Sequence, residues 1–316
     1  MVIVIDTDAG VDDALALQLA LAHPTAHIEA ITTVIGNIDV DAVTRNVMTT
    51  LKLMGREELP VYRGAALPLI STWHNETEFV HGIDGLGDWA GRPISDKQSE
   101  TEHAALALIR LANENPGEIT LVALAPMTNI ALAVRLDSTF ASKIKRLVWM
   151  GGAMYGIGNT DTFTAEFNAH IDPEALHIVL SAFAQSTMIS WETSLKYALT
   201  WDEFDALVAL PVDTPVHRMF AAITAHWSKV GRALPTVRGF AMPDPLAMAI
   251  ALYPEIVTRV ENRYVTVELG GTHTRGMTPV DFPKMSGRTP NVDIVMDIEG
   301  AALYELYRRL LTDGHL

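Results

Sequence analysis

The 316-residue chain carries 23 basic and 38 acidic side chains, a formal net charge of −15, no cysteine, and 49% hydrophobic against 19% charged residues. Such a composition excludes intrinsic disorder, a disulfide framework and a thiolate-held metal, and its negative field opposes nucleic acid and anionic membranes. The opening MVIVIDTD lacks the basic start of a secretory leader, and no apolar run approaches the ~18–20 residues that span a bilayer.

A cytoplasmic globular protein is therefore expected. Val2–Ile5 reads as a buried strand, Asp12–Ala22 as a helix, and Ile28–Val34 as a second strand. A helical stretch follows from Asp39 to Met54. Glu102–Asn113 (helix), Ile119–Leu124 (strand), Thr128–Arg135 (helix) and Arg146–Met150 (strand) continue the alternation. Pro173–Ala182 (helix) and Thr187–Ser190 (strand) extend it. Beyond Trp201 the pattern is more helical, over Asp202–Leu210 and Pro215–Lys229. Strand-like stretches return at Arg263–Leu269 and Val292–Asp297, before a last helix over Glu299–Leu311. The alternation predicts an α/β fold: an open, mostly parallel, doubly wound (Rossmann-like) sheet with helices on both faces. No linker or composition shift divides it, so 1–316 is expected to be a single domain. Two Gly-punctuated segments, Arg63–Ser99 and Gly151–Phe167, read as long loops of the kind that carry function.

The informative stretch is Asp6-Thr7-Asp8-Ala9-Gly10-Val11-Asp12-Asp13, at the carboxyl end of the first strand. Ligands of open α/β sheets bind there. Helix capping explains one or two of the acids, but four so close raise one another's pKa, a conflict that a bound cation removes. All-oxygen ligation favours Ca²⁺ or Mg²⁺ over zinc. Asp6 and Asp8, two apart on a strand, should point the same way, whereas Asp12 and Asp13 diverge by about 100° on a helix. One of that second pair can then ligate metal while the other meets a ligand hydroxyl. Gly10 suits close approach of backbone to ligand.

DTDAGVDDALAL resembles the D-x-D-P-G-x-D-D-A signature of the inosine–uridine-preferring nucleoside hydrolases. The likeness returns in order along the chain, in TTVIGN (Thr32–Asn37), LAPMTNIALA (Leu124–Ala133), WMGGA (Trp149–Ala153), AEFNAHIDPEAL (Ala165–Leu176), DPLAMA (Asp244–Ala249) and ELGGTHTRGMT (Glu268–Thr278). The resemblance implies calcium-dependent hydrolysis of the N-glycosidic bond of ribonucleosides by a homodimer or homotetramer. It implies Ca²⁺ ligation by Asp8, Asp13, Asp244 and the backbone carbonyl of Leu124. Asp8 would also act as general base on water held by the metal, and Asp12 would hold a ribose hydroxyl. Asn37, Met150, Asn159, Glu166 and Asn168 match positions that line the ribose site, and amides and carboxylates suit a diol. Glu166 and Asn168, alternating in an extended segment, should face one side.

One departure concerns the leaving base. Many relatives place His before the late metal Asp, where this chain has Pro243, which cannot transfer a proton. His81, in FVHGIDGLG, is a candidate acid, with His226 as a further possibility; Trp73, Trp89 and Trp227 are candidates for stacking on the base. Two other readings compete. A haloacid-dehalogenase-like phosphatase also begins with a strand ending in D-x-D, but it carries Thr where this chain has Gly10. A calcium-dependent nucleoside- or sugar-binding protein with little turnover would fit the loss of the histidine.

Overall fold

The computed structural model describes residues 1–316. In chain order it begins β1 (Val2–Thr7), α1 (Val11–Ala22), β2 (His27–Thr33), α2 (Val40–Leu53), β3 (Val61–Arg63), α3 (Glu78–His81) and α4 (Ala104–Glu114). There follow β4 (Ile119–Ala123), α5 (Thr128–Leu136), α6 (Phe140–Lys143), β5 (Arg146–Met150), α7 (Phe167–Ile171), α8 (Pro173–Ala182) and β6 (Ser186–Ile189). The last third holds α9 (Trp191–Lys196), β7 (Leu199–Thr200), α10 (Trp201–Val208), α11 (Pro215–Ala233), β8 (Gly239–Phe240), α12 (Pro243–Leu252), β9 (Val257–Arg263), β10 (Val292–Ile298) and α13 (Gly300–Asp313).

Eight strands form one sheet in the order β3-β2-β1-β4-β5-β6-β10-β9, parallel except for β9, and β7 pairs antiparallel with β8. The expected open, doubly wound architecture is what the chain adopts. Ile3 and Ile5 of β1 enter the core beneath α1, α12 and α13, whereas Val4 enters the core beneath α4, α5 and α8. The period-2 alternation of a strand thus feeds two cores, one on each face. No helix is long and apolar enough to cross a membrane.

Strand order reverses at β1, which lies between β2 and β4. A crevice opens at the carboxyl ends of β1 and β4, and the acidic junction faces it.

Two expectations change, and one helix appears that the sequence pattern hid. The antiparallel strand is Val257–Arg263 rather than Arg263–Leu269. This edge carries Arg259, Glu261 and Arg263, so no apolar alternation betrays it, while the buried Val265 and Val267 imitate one under a loop. The helix α12 follows no amphipathic pattern because eight of its residues from Pro245 to Leu252 are all buried, which leaves no polar face to set a 3.6-residue period. Glu166 and Asn168 do not lie in an extended segment. Glu166 caps α7, its carboxylate accepting from the N–H groups of Asn168 and Ala169.

Asn129 of α5 ties the centre together and is fully buried. Its Nδ2 donates to Asp6 Oδ1 at 2.8 Å and to the Thr33 carbonyl at 3.0 Å, and its Oδ1 accepts from the Ala65 N–H at 2.9 Å. Asn129→Ala strands buried polar groups on three segments and is expected to cost roughly 3 kcal/mol or more. Urea unfolding of the variant checks this, and an unchanged midpoint would contradict it.

Candidate active site

The strand β1 ends at Thr7, and the chain turns through Ala9, at φ 30°, into α1. That early end separates Asp6 from Asp8, contrary to the expectation that both point the same way. Asp6 faces α5 and accepts from Thr32 Oγ1 at 2.6 Å and from Asn129. Asp8 turns toward the crevice, its Oδ2 accepting the Asn37 N–H at 2.8 Å. Asp6 therefore belongs to the interior scaffold.

Asp13 is pinned by three donors: the Thr7 hydroxyl at 2.6 Å, the Gly10 N–H at 2.8 Å and Asn37 Nδ2 at 3.1 Å. Asp244 arrives from the first turn of α12, where Pro243 occupies the helix start with its φ already suited to a helix. Carboxylate oxygens of Asp12, Asp13 and Asp244 lie within 4.8 Å of one another. Asp8 adjoins this group. Burial, followed by the neighbouring Asp13 carboxylate, holds Asp8 well above the usual carboxylate range. Burial and then Asp12 do the same to Asp244. Asp13 is raised by burial and Asp12, and burial pushes Asp12 up to about 6.

The donor set fits a hard cation. Oδ1 of Asp8 and Oδ1 of Asp12 are buried without any hydrogen-bond partner, a costly arrangement that a cation would compensate. The N-termini of α1 and α12 both point their partial positive charge at the cluster, which helps but does not neutralise it.

Two glycines make the approach possible. A Cβ on Gly10 would come within 2.7 Å of His81 Nδ1 and Asn37 Nδ2, and one on Gly36 within 1.9 Å of Asp8 Oδ2.

Above the acids lies a cavity of about 690 Å³, a size typical of small-molecule sites. Its wall brings together Asp12, Asn37, His81, Leu124, Met150, Asn159, Glu166, Asn168, Trp227 and Asp244, residues from eight separate stretches of the chain. Asp8 and Asp13 lie beneath it. Asn168 Nδ2 donates to the Leu124 carbonyl at 2.9 Å, leaving that oxygen one further lone pair. Asn159 Oδ1 accepts the Phe167 N–H at 2.8 Å, so its Nδ2 is the group free for a ligand. Glu166 also accepts the Gly152 N–H at 2.8 Å, and burial pushes it up to about 7.

His81 Nδ1 accepts the Val11 N–H at 3.1 Å, which puts the proton of the neutral ring on Nε2. Burial pushes its pKa down to about 4. A neutral hydrogen-bond donor fits this position better than a charged acid.

Of the three stacking candidates only Trp227 reaches the cavity, edge-on to Phe79 at 6.2 Å. Trp73 donates its indole N–H to the Gly36 carbonyl and packs beside Val34 and Ile35. Trp89 packs against the core under α11. Phe79, His170, Trp191, Phe240 and Arg238 also line the wall and were not legible in the sequence, because helices of four to six residues, a two-residue strand and a loop are too short to show a periodic signal.

The sequence pattern of the family described as inosine-uridine preferring nucleoside hydrolase matches residues 3–305. The chain belongs to this family. It is 35% identical over 311 residues to the pyrimidine-specific ribonucleoside hydrolase RihA of Citrobacter koseri, covering 96% of each chain. It is 39% identical over 201 residues to uridine nucleosidase 1 of Arabidopsis thaliana, covering 64% of this chain and 59% of that one. Among solved structures, the plant nucleoside hydrolase PpNRh1 superposes with a TM-score of 0.89 at 30% identity, covering 98% of both chains. The purine-preferring ribonucleoside hydrolase from Gardnerella vaginalis gives 0.88 at 27%, again covering 98% of both. Membership in the nucleoside hydrolases makes the chain a ribonucleoside N-glycosidase and sets aside the phosphatase reading.

Two outcomes follow for this hydrolase. Gly36→Ala is expected to displace the Asp8 carboxylate and cut turnover by roughly 10²-fold, since a ~1 Å misplacement suffices for that loss. Nucleoside hydrolysis together with circular dichroism checks it, and full activity would contradict it. Buried carboxyls raised toward 6–7, such as Asp12 and Glu166, bind protons more tightly folded than unfolded. The raised carboxyls should therefore make the chelated hydrolase lose stability as pH rises from about 4 to about 7, outweighing the buried His81, which acts in the opposite sense over the same window. Added divalent cation should remove that loss. Melting temperatures across the range, with and without chelator, test both signs.

Proposed function

We propose that this chain hydrolyses ribonucleosides to free base and ribose with calcium as its metal, held by Asp8, Asp13, Asp244 and the Leu124 carbonyl. One observation carries the reading: partnerless carboxylate oxygens of Asp8 and Asp12 lie beneath a cavity of nucleoside-accepting size, at the switch point of a parallel sheet. When bound, the cation supplies charge neutralisation, acidification of a water and a template for the ribose diol.

The residues divide the remaining work. The Asn37 amide fixes Oδ2 of Asp8, so Oδ1 is the atom that takes a proton from the attacking water. Asp12, with its own free Oδ1, accepts from a ribose hydroxyl. Asn159 offers Nδ2 to the sugar, and Asn168 offers Oδ1, since their other polar atoms are already bonded. Met150, at the end of β5, closes the apolar side of the ribose. The carboxylates below favour a sugar that turns cationic as its bond to the base stretches. His81 presents its Nε2–H toward the departing base, and Trp227 gives the base a face to rest on.

Assay of reducing sugar from a panel of purine and pyrimidine nucleosides, with calcium and after chelation, tests the reading. Calcium-dependent release is expected. Tight nucleoside binding with no sugar released would favour the binding-protein alternative instead. Asp8→Asn should lose roughly 10²-fold or more of turnover while retaining its fold, because the base is removed and the geometry is not. Near-normal turnover in that variant would remove Asp8 from the role.

A further inference from the structure

Cleaving an N-riboside produces opposite charges at two ends of one cavity. The C1′–N bond breaks with its electron pair leaving on the base, while water forms the new bond to C1′ and gives its proton to Asp8. The sugar end passes through a cation-like state, and the base end departs as an anion that takes its proton afterwards from solvent. The floor suits the first charge. Asp12, Glu166 and Asp244 lie there, largely or wholly buried, while the wall's other two acids, Glu76 and Asp161, are exposed. Those carboxylates oppose the second charge, Pro243 offers no proton, and His81 brings only the N–H of a neutral ring.

Arg238 is the sole lysine or arginine in that wall. It is exposed, six positions before Asp244, on the segment that passes through β8 to the start of α12. That short run ties Arg238 to the same cavity that Asp244 lines. Despite five carboxylates in the same wall, its guanidinium enters no ion pair and no hydrogen bond. Arg110 and Arg275, by contrast, are paired with Glu102 and Glu174; what sets Arg238 apart from the chain's other unpaired arginines is its place in the cavity wall. The unpaired fork shares the wall with Phe240 and Trp227, aromatic faces suited to a planar base.

We infer that Arg238 binds the leaving base, and that its guanidinium sets a preference for bases presenting carbonyl oxygens. The inference rests on the hydrolase reading above. A guanidinium fork matches the O6/N7 edge of a 6-oxopurine, and the anionic O2 or O4 of a departing uracil likewise accepts from it. An amino group at the same position is itself a donor and repels the cation. Inosine should therefore exceed adenosine, and uridine should exceed cytidine, whichever ring size the pocket prefers. Charge thus alternates along the cavity, negative under the sugar and positive beside the base, to match the transition state.

The test is steady-state kinetics of wild type, Arg238→Ala and Arg238→Lys on inosine, adenosine, uridine, cytidine and 4-nitrophenyl riboside. Wild type should prefer the oxo member of each pair. Arg238→Ala should lower kcat/KM for inosine and uridine by roughly 10- to 100-fold, leave adenosine and cytidine little changed, and so collapse both ratios. The nitrophenyl riboside, whose leaving group needs no assistance, should be spared. Millimolar guanidinium, but not urea, should restore part of the loss in Arg238→Ala, and Arg238→Lys should fall between. Equal losses on all five substrates, or unchanged ratios, would overturn the inference while leaving the hydrolase reading intact. Wild-type inactivity on all five would defeat the hydrolase reading itself, and the inference with it.

Discussion

Four aspartates held out of water at one spot constrain everything else in this molecule. Asp8, Asp13 and Asp244 are almost wholly buried, and Asp12 is only slightly exposed beside them. Carboxylates so placed repel, and each would sooner be protonated or solvated. The surrounding structure answers with directed donors: the Thr7 hydroxyl, the Gly10 and Asn37 N–H groups, and two helix N-termini. Those donors fix the position of each carboxylate without cancelling the net charge. A site that is rigid, anionic and incompletely satisfied is preorganised for a cation.

Much of this was legible in the chain. The strand–helix alternation gave the parallel sheet because buried parallel strands are short apolar runs, and Val2–Ile5, Ile119–Leu124 and Arg146–Met150 are such runs. The acidic junction stood out since capping accounts for too few of its acids. What escaped the reading escaped for physical reasons. The helix α12 is buried all round, so its sequence shows no stripe, and the edge strand β9 is polar, so its sequence shows no alternation. Asp6 was misdirected because a strand's period applies only while the strand lasts, and β1 stops at Thr7.

The site itself was legible only in part. Asn37, Glu166 and Asn168 reach the cavity, but their hydrogen bonds go first to the protein: Asn37 to the aspartates, Glu166 to the turn of α7, and Asn168 to Leu124. Sequence reasoning assigns such residues to ligand because their chemistry suits a diol. The structure adds that each is already locked, with a particular atom left over. Trp73 was equally plausible by composition, yet its indole N–H is spent on the Gly36 carbonyl, bracing the same turn that admits the Asp8 carboxylate. No local pattern separates Trp73 from Trp227, because burial in a long loop is decided by contacts far along the chain.

The two borders of the main sheet differ in kind but share an effect. At one border β3 is only three residues long, and Glu100 lies alongside it, its N–H bonded to the Val61 carbonyl at 2.8 Å. At the other, β9 alternates Thr258, Val260 and Asn262 with Arg259, Glu261 and Arg263, a run of charge that disfavours a hydrogen-bonded neighbour. Both borders therefore disfavour a ninth strand, whether offered by another copy or by an extended peptide, and so limit growth of the sheet at its ends.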